Sequence, residues 1–296
     1  MLHAVDNVNL TINKGCTLGV VGESGCGKST LGRTILRLLP ATEGEVLYNG
    51  KDILKLNNAE MKKMRSDMQI IFQDPYASLN PRMSVSQIIE EPLKVNKLLP
   101  NKTERDERIL ELMDTVGLAR RLANSYPHEL DGGRRQRIGV ARALALNPEF
   151  IVCDEPVSAL DVSIQAQILN LMMDLQDSMG LTYMFITHDL SVVRHISTHI
   201  AVMYLGQVVE YAPSHELFED PKHPYTKALI KAIPVIGGGS LAGIPGTPPA
   251  FGEIREGCSF APRCPSAGKN CTCDACLSRK QYEQDHWALC PRGCGS

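Results

Sequence analysis

The segment Gly22-Glu23-Ser24-Gly25-Cys26-Gly27-Lys28-Ser29, with Thr30 next, places three glycines, a lysine and a hydroxyl at the spacing G-x-x-x-x-G-K-S. An apolar run, TLGVV, precedes it and an amphipathic run follows, so the segment reads as a turn between a strand and a helix. Glycines let successive backbone N–H groups curl around phosphate oxygens, and the helix N-terminus adds partial positive charge. Lys28 then reaches terminal phosphates, and the Ser29 hydroxyl is a magnesium ligand. A chance glycine-rich turn would not carry the strand, the lysine, the hydroxyl and the helix together.

FIVCDEP supplies the complementary chemistry. Its apolar strand ends in Asp154 and Glu155, two carboxylates at the edge where open α/β sheets bind ligands. Asp154 suits magnesium, and Glu155 suits polarisation of an attacking water as general base. Three more polar residues follow strand or turn signals: Gln73 after MQIIF, His188 after TYMFI, and Asp161 at the end of SALD. Each alone reads as a cap or surface residue, whereas together they read as sensors of a terminal phosphate. A last stretch, ELDGGRRQRIGVARAL, runs a glycine pair into a basic helix, an anion-binding arrangement with an acid, Asp131, in front of it.

These residues must be positioned by alternating strands and helices, the pattern of an α/β domain with a largely parallel sheet. Strands are expected at Thr17–Val21, Met68–Phe72, Phe150–Asp154 and Thr182–Ile186, and a helix at Thr30–Leu39 stopped by Pro40. Asn49-Gly50 predicts a two-residue hairpin, and AVMYLGQVVEY a second one around Gly206. Strand signals vanish from 75 to 147, so an α-helical insert is expected there. Thr103 with Asp106 resembles a capping box for one of its helices. Prolines 245, 248 and 249 mark a linker into a cysteine-rich tail.

At 296 residues the chain is long enough for a sizeable core, and 43% hydrophobic with 22% charged residues is ordinary for a globular protein. A net charge of −2 gives no basic footprint for nucleic acid. No apolar run reaches the ~18 residues of a membrane span. The first residues lack a secretion signal, so the chain is expected in the cytosol, with membrane contact through a partner.

The ordered set of phosphate loop, Gln73, glycine pair, DEP, SALD and His188 resembles the nucleotide-binding subunit of ATP-binding-cassette transporters. FQDPYASLNPR, YPHEL, DEPVSALDVSIQAQ and HPYTKALIKAIP resemble the oligopeptide/dipeptide importer branch, which includes nickel importers; GCSFAPRCP extends the likeness into the tail. The resemblance implies a P-loop ATPase core with an antiparallel β subdomain, spanning 1–235, its helical insert at 75–147, and a C-terminal extension at 236–296. It implies ATP and Mg2+ as cofactors, with Ser29, Gln73 and Asp154 at the metal, and Glu155, His188 and Gln73 as catalytic residues. It implies head-to-tail dimers that sandwich two ATP molecules, each between one subunit's loop and the other's glycine pair. The implied partners are two transmembrane permeases, a second ATP-binding subunit and, indirectly, an external solute-binding protein. The implied place is the cytoplasmic face of the plasma membrane.

Residues 130–134 read LDGGR where the family pattern reads LSGGQ. In that pattern the serine hydroxyl and the amides of Gly132 and Gly133 donate to the partner's γ-phosphate. Ionised Asp131 donates nothing, and at ~4 Å and an effective dielectric of ~20 its repulsion is worth roughly 4 kcal/mol before screening. An aspartate is also a good N-cap, able to occupy those amides itself. Two readings stand: Asp131 turns aside with Arg134 compensating, or this signature supports hydrolysis poorly and the two sites are unequal, which favours a heterodimer. A second departure is upstream. None of the 21 residues before Gly22 is Phe, Tyr or Trp, so the family's adenine-stacking aromatic is missing or the chain begins short of it.

Seven of the ten cysteines fall between Cys258 and Ser296, spaced C-x5-C-x6-C-x-C-x2-C-x13-C-x3-C. In a reducing compartment such a cluster favours metal over disulfide. The resemblance implies a [4Fe–4S] cluster on Cys258, Cys264, Cys271 and Cys290. Cys273, Cys276 and Cys294 are alternative ligands, Cys273-x2-Cys276 with Cys290-x3-Cys294 also suits tetrahedral zinc, and a tail without metal or with disulfides is the third reading. Cys16, Cys26 and Cys153 read as small core or loop residues.

Overall fold

A computed structural model describes residues 3–233, 246, 257–268, 271 and 278–290. The strands among them are β1 (Thr17–Val21), β2 (Leu47–Tyr48), β3 (Lys51–Asp52), β4 (Met68–Ile71), β5 (Phe150–Asp154), β6 (Thr182–Ile186), β7 (His199–Tyr204), β8 (Gln207–Pro213), β9 (Arg279–Glu283) and β10 (His286–Leu289). The α-helices are α1 (Lys28–Ile35), α2 (Asn58–Asp67), α3 (Val85–Val95), α4 (Lys102–Thr115), α5 (Gly132–Leu144), α6 (Val162–Met179), α7 (Leu190–Ile196), α8 (Ser214–Glu219) and α9 (Pro224–Lys231). The chain forms two units. One comprises 1–12, 16–32 and 185–296, the other 13–15 and 33–184.

In the first unit β1 pairs in parallel with β7, from Leu18↔His199 to Val21↔Val202. β7 then pairs antiparallel with β8, and β10 joins β8 and β9 antiparallel. Every residue of β1 is buried, and so are all but the first of β7. A strand buried on both faces reads as a continuous apolar run, which is what TLGVV is. The β7–β8 turn is Leu205-Gly206, both at positive φ (44° and 85°), the two-residue geometry whose twist matches flanking strands.

In the second unit β4 pairs in parallel with β5, Met68↔Phe150 through Ile71↔Cys153. The expected Asn49-Gly50 hairpin joins β2 to β3, with φ of 47° and 76° at the two turn residues. Between β4 and β5 the chain is helical. Ile88, Ile89 and Leu93 of α3, Leu112 and Met113 of α4, and Ile138 and Val140 of α5 are buried as an apolar set. α3 carries a capping box in which Ser84 accepts from the Gln87 amide and the Gln87 side chain accepts from Ser84 N–H.

Two expectations are corrected here. α4 is capped by Asn101, whose side chain accepts the Thr103 amide; Thr103 itself lies inside the helix. α1 begins at Lys28 and ends at Ile35, shorter than Thr30–Leu39, because Arg37 turns to φ 53° before Pro40 is reached.

Candidate functional site

The first unit holds the phosphate loop. Gly22, Gly25 and Gly27 have φ of 154°, 80° and 103°, values that let the peptide planes curl and that L side chains resist. Space forbids a side chain as well. A Cβ on Gly22 would lie 2.1 Å from the Met203 carbonyl, and one on Gly27 2.1 Å from that of Ala4. Lys28 is 4% exposed. Its ammonium donates to the carbonyls of Gly22 (2.8 Å) and Glu23 (3.0 Å). Cys26 is buried against it, and that burial raises the thiol's pKa. Ser24 and Gly25 are exposed, and Ser29 and Thr30 half-buried on the first turn of α1. Glu23 is held differently. Its amide donates to the Tyr225 hydroxyl at 2.9 Å, and Arg263 grips its carboxylate with both terminal nitrogens at 2.7 and 3.0 Å. His188 stands exposed on the turn after β6; beside it the Thr187 amide donates to the Val20 carbonyl of β1.

The second unit brings three of the expected residues together. Asp154, 1% exposed, ends β5 and takes an ion pair from Arg33 of α1 at 3.2 Å. Glu155 follows at φ 48°, a left-handed conformation that costs a non-glycine residue of order 1 kcal/mol and clusters at functional sites. Its carboxylate accepts a hydrogen bond from Gln73 Nε2 at 2.9 Å. The segment after Gln73 is tied to α5: Arg135 lies 3.6 Å over the Tyr76 ring and Arg142 donates to the Ser78 carbonyl at 2.6 Å. Asp161 is the exposed N-cap residue of α6.

Asp131 caps α5. Its Oδ1 accepts the Arg134 amide at 2.8 Å, and its Oδ2 lies 3.4 Å from Arg134 Nε. The acid does cap the helix, through the Arg134 amide rather than an amide of the glycine pair, and the Arg134 guanidinium faces it. Gly132 and Gly133 have a second reason to lack side chains. A Cβ would meet Leu160 at 3.0 Å from the one and Ile164 at 2.7 Å from the other.

Arg33, Tyr225 and Arg263 were not singled out from sequence. Arg33 was readable as a cation one turn past the loop. Arg263 lies 240 residues from Glu23 and gave no signal.

In the tail, Cys271 and Cys290 are buried and Cys258 and Cys264 half-buried. Burial, then the nearby thiols of Cys290, Cys271 and Cys264, push Cys258 up to about 11. The four are therefore neighbours of the right donor type. Electrostatic range is longer than ligand range, however, and among the described residues no three His, Cys, Asp or Glu side chains are arranged to hold a metal ion. The expected [4Fe–4S] cluster or zinc thus gains no support from this arrangement, and Cys273, Cys276 and Cys294 lie outside the described residues. Cys26 and Cys153 are buried, as expected of small core residues. No helix among the described residues is long and apolar enough to cross a membrane.

A glycine loop with a buried lysine between a strand and a helix defines a phosphate-loop nucleotide-binding protein of mixed α/β fold. A family model described as ABC transporter matches residues 5–158, and one described as oligopeptide/dipeptide transporter, C-terminal region, matches 209–271. The chain belongs to the ABC transporter family, as an ATP-binding cassette. The oligopeptide transport ATP-binding protein OppF of Bacillus subtilis is 60% identical over 235 residues, covering 79% of this chain and 77% of its own. AppF of the same organism is 50% identical over 295 residues, covering 98% and 89%. Among solved structures, the dimeric cassette MJ0796 bound to ADP and Pi superposes with a TM-score of 0.65 at 35% identity, covering 71% of this chain and 90% of that one. The fold is that of the ABC ATPase cassette, and the family's activity is ATP hydrolysis coupled to transport.

Proposed function

We propose that this chain hydrolyses ATP to energise a membrane importer of di- and oligopeptides. It works at the cytoplasmic face of the plasma membrane with two permeases, a second ATP-binding subunit and an external solute-binding protein. The amides from Gly22 to Thr30 bind the β- and γ-phosphates with Lys28. Ser29, Gln73 and Asp154 hold Mg2+, which neutralises phosphate charge when bound. Glu155 polarises the attacking water, His188 senses the γ-phosphate, and Gln73 relays the state of that site to the helices between β4 and β5. Asp131, Gly132, Gly133 and Asp161 face a second nucleotide across a head-to-tail dimer. The observation that carries hydrolysis is Glu155, held in a strained left-handed turn directly after a buried Asp154 and bonded to Gln73. Peptide as cargo is supported by the matched C-terminal region and by the peptide-transport names of the relatives.

Asp131 makes the two nucleotide sites of the dimer unequal. A helix N-terminus holds a phosphate by its free amides and its partial charge; here a carboxylate already accepts one of those amides, that of Arg134, and sits in that charge. A partner with a serine in that place supplies the competent half of the opposite site. The tail is proposed to hold a [4Fe–4S] cluster on Cys258, Cys264, Cys271 and Cys290, with zinc as the alternative, on the strength of the four-thiol donor set alone. Iron and acid-labile sulfide in anaerobically purified protein decide between them.

Steady-state ATPase of the assembled complex carrying Glu155→Gln tests the central reading. Loss of most turnover is expected with nucleotide still bound. Full turnover would make this chain a regulatory binder of ATP.

A further inference from the structure

The phosphate loop is braced by the cysteine-rich segment. Arg263 sits in a single 3-10 turn, Ala261–Arg263, between Cys258 and Cys264. Its backbone is fixed there. The Arg263 amide donates to Phe260 at 3.0 Å, the Cys264 amide to Ala261 at 3.2 Å, and the Cys258 amide to Cys271 at 2.8 Å. Phe260, 1% exposed, seats this turn edge-on against Tyr204 at 5.3 Å and against Tyr225 at the same centroid distance. From that seat the Arg263 side chain, 4% exposed, reaches the Glu23 carboxylate in a two-pronged pair. Planar guanidinium-to-carboxylate pairing fixes direction as well as distance. The carboxylate it holds raises the Arg263 pKa further.

Glu23 is consequently held from three sides: its carboxylate by Arg263, its amide by the Tyr225 hydroxyl, and its carbonyl by Lys28. Of these, Lys28 must also serve phosphate, which leaves Arg263, Tyr225 and the Cys26 amide, 3.2 Å from the Glu23 carbonyl, to set the orientation of Glu23. That peptide follows Gly22, whose φ of 154° starts the curl of the loop.

We propose that Arg263 is a positioning residue for nucleotide binding, acting through Glu23, so that the cysteine-rich segment sets the affinity of the phosphate loop. The pair does two things. It holds the loop in the curled form, and it neutralises a carboxylate that would otherwise face the incoming triphosphate as a like charge. A loop that is curled only a fraction of the time binds with its intrinsic Kd divided by that fraction. This inference rests on the loop being the nucleotide site.

The test is Mg-ATP binding to the full-length chain by titration calorimetry, with urea midpoints measured alongside. Arg263→Gln is expected to raise the Kd about tenfold. Arg263→Lys, which keeps the charge and loses the second prong, is expected to raise it about threefold. Arg263→Gln combined with Glu23→Gln, an uncharged amide pair, is expected to return to within about threefold of the unaltered chain, since no stray carboxylate remains. In the assembled complex Arg263→Gln raises the KM for ATP and leaves kcat at saturation in place. Lys28→Ala is the control for the underlying reading; if it binds ATP normally, the loop is not the nucleotide site. If Lys28→Ala loses ATP while Arg263→Gln binds within twofold of the unaltered chain, the brace is overturned. A double variant as weak as Arg263→Gln alone also overturns it, because the effect would not pass through Glu23. Should Arg263→Gln fail to fold, Arg263→Lys and Glu23→Gln carry the measurement, and unchanged Kd in both sinks the proposal.

Discussion

Lowering the pH should unlatch α9 through His223. This residue is 1% exposed. Its Nδ1 accepts the Tyr225 amide at 3.1 Å, so the imidazole is the N-cap of the helix. With Nδ1 accepting, Nε2 carries the proton, and it is buried with no hydrogen-bond partner among the described residues. A second proton would turn the cap into a donor facing a donor. Glu210 of β8 pulls the other way: it is 0% exposed and accepts from the His223 amide at 2.8 Å and from His286 at 2.9 Å. Burial wins and lowers His223 from 6.5 to about 4. Below 6.5 the unfolded chain takes up a proton that the folded chain refuses until about 4, so stability rises with pH across that window and is lost on acidification. At 1.36 kcal/mol per unit, the ~2.5-unit gap is worth ~3 kcal/mol, most of it gone by about pH 4.5.

His223→Asn isolates the effect, because asparagine keeps the capping acceptor and does not titrate. Urea unfolding at about pH 7, 5.5 and 4.5 should show the unaltered chain losing ~2 kcal/mol more than the variant between the first and last pH. Carboxylates titrating in the same window are common to both and cancel. Equal slopes for the two proteins would refute the assignment of a buried neutral imidazole. The consequence reaches the site, since Tyr225, whose amide the cap holds, accepts the Glu23 amide in the phosphate loop. ATP affinity of the unaltered chain should therefore fall in the same acid window, and that of His223→Asn should fall less.

Asp131→Ser with Arg134→Gln removes the carboxylate that holds the amide of residue 134; ATPase of the assembled complex should rise, by tenfold for each ~1.4 kcal/mol of transition-state repulsion removed, and unchanged turnover would reject the unequal-site reading. Gly27→Ala drives a Cβ to 2.1 Å from the Ala4 carbonyl at φ 103°; at least ~1–3 kcal/mol of strain is expected, with loss of calorimetric ATP binding while circular dichroism stays folded. Ile89→Ala, at a fully buried position of α3, should cost ~2–5 kcal/mol in urea unfolding, with the slope unchanged.

What could be read in advance was local. The phosphate loop, β1, β5 and both two-residue hairpins are short runs whose chemistry is carried by neighbours in sequence. α2 escaped notice because it buries only Met61 and is otherwise polar, leaving no apolar period to see, although Asn57 and Glu60 form a capping box at its start. The β9–β10 hairpin escaped because its first strand, RKQYE, is largely exposed and is fixed by pairing of β10 onto β8, Trp287↔Tyr211. Asn101 and Thr103 are both competent caps, and spacing alone did not say which one the helix starts from. The close approach of Leu160 and Ile164 to Gly132 and Gly133, a second reason for glycine beside the proposed amide donation, needed three dimensions. So did Arg263.

The charged groups assigned to nucleotide chemistry share a pattern. Lys28 donates to loop carbonyls, Asp154 pairs with Arg33, Glu155 accepts from Gln73, and Asp131 accepts the Arg134 amide and faces the Arg134 guanidinium. The internal partners differ in how easily phosphate or magnesium replaces them. Lys28 has a flexible stem and can exchange carbonyls for phosphate oxygens by rotating. Arg33 is 43% exposed at its side chain, so water can receive it if the proposed Mg2+ takes Asp154. Asp131 differs: it accepts the Arg134 amide at the start of α5, and on the proposed signature role releasing that amide would leave a carboxylate beside another anion. On the proposed function, binding at the loop exchanges weak internal bonds for stronger ones, whereas binding at this signature would set a phosphate beside a carboxylate. The asymmetry lies in the chemistry of residue 131 and would persist with any cargo.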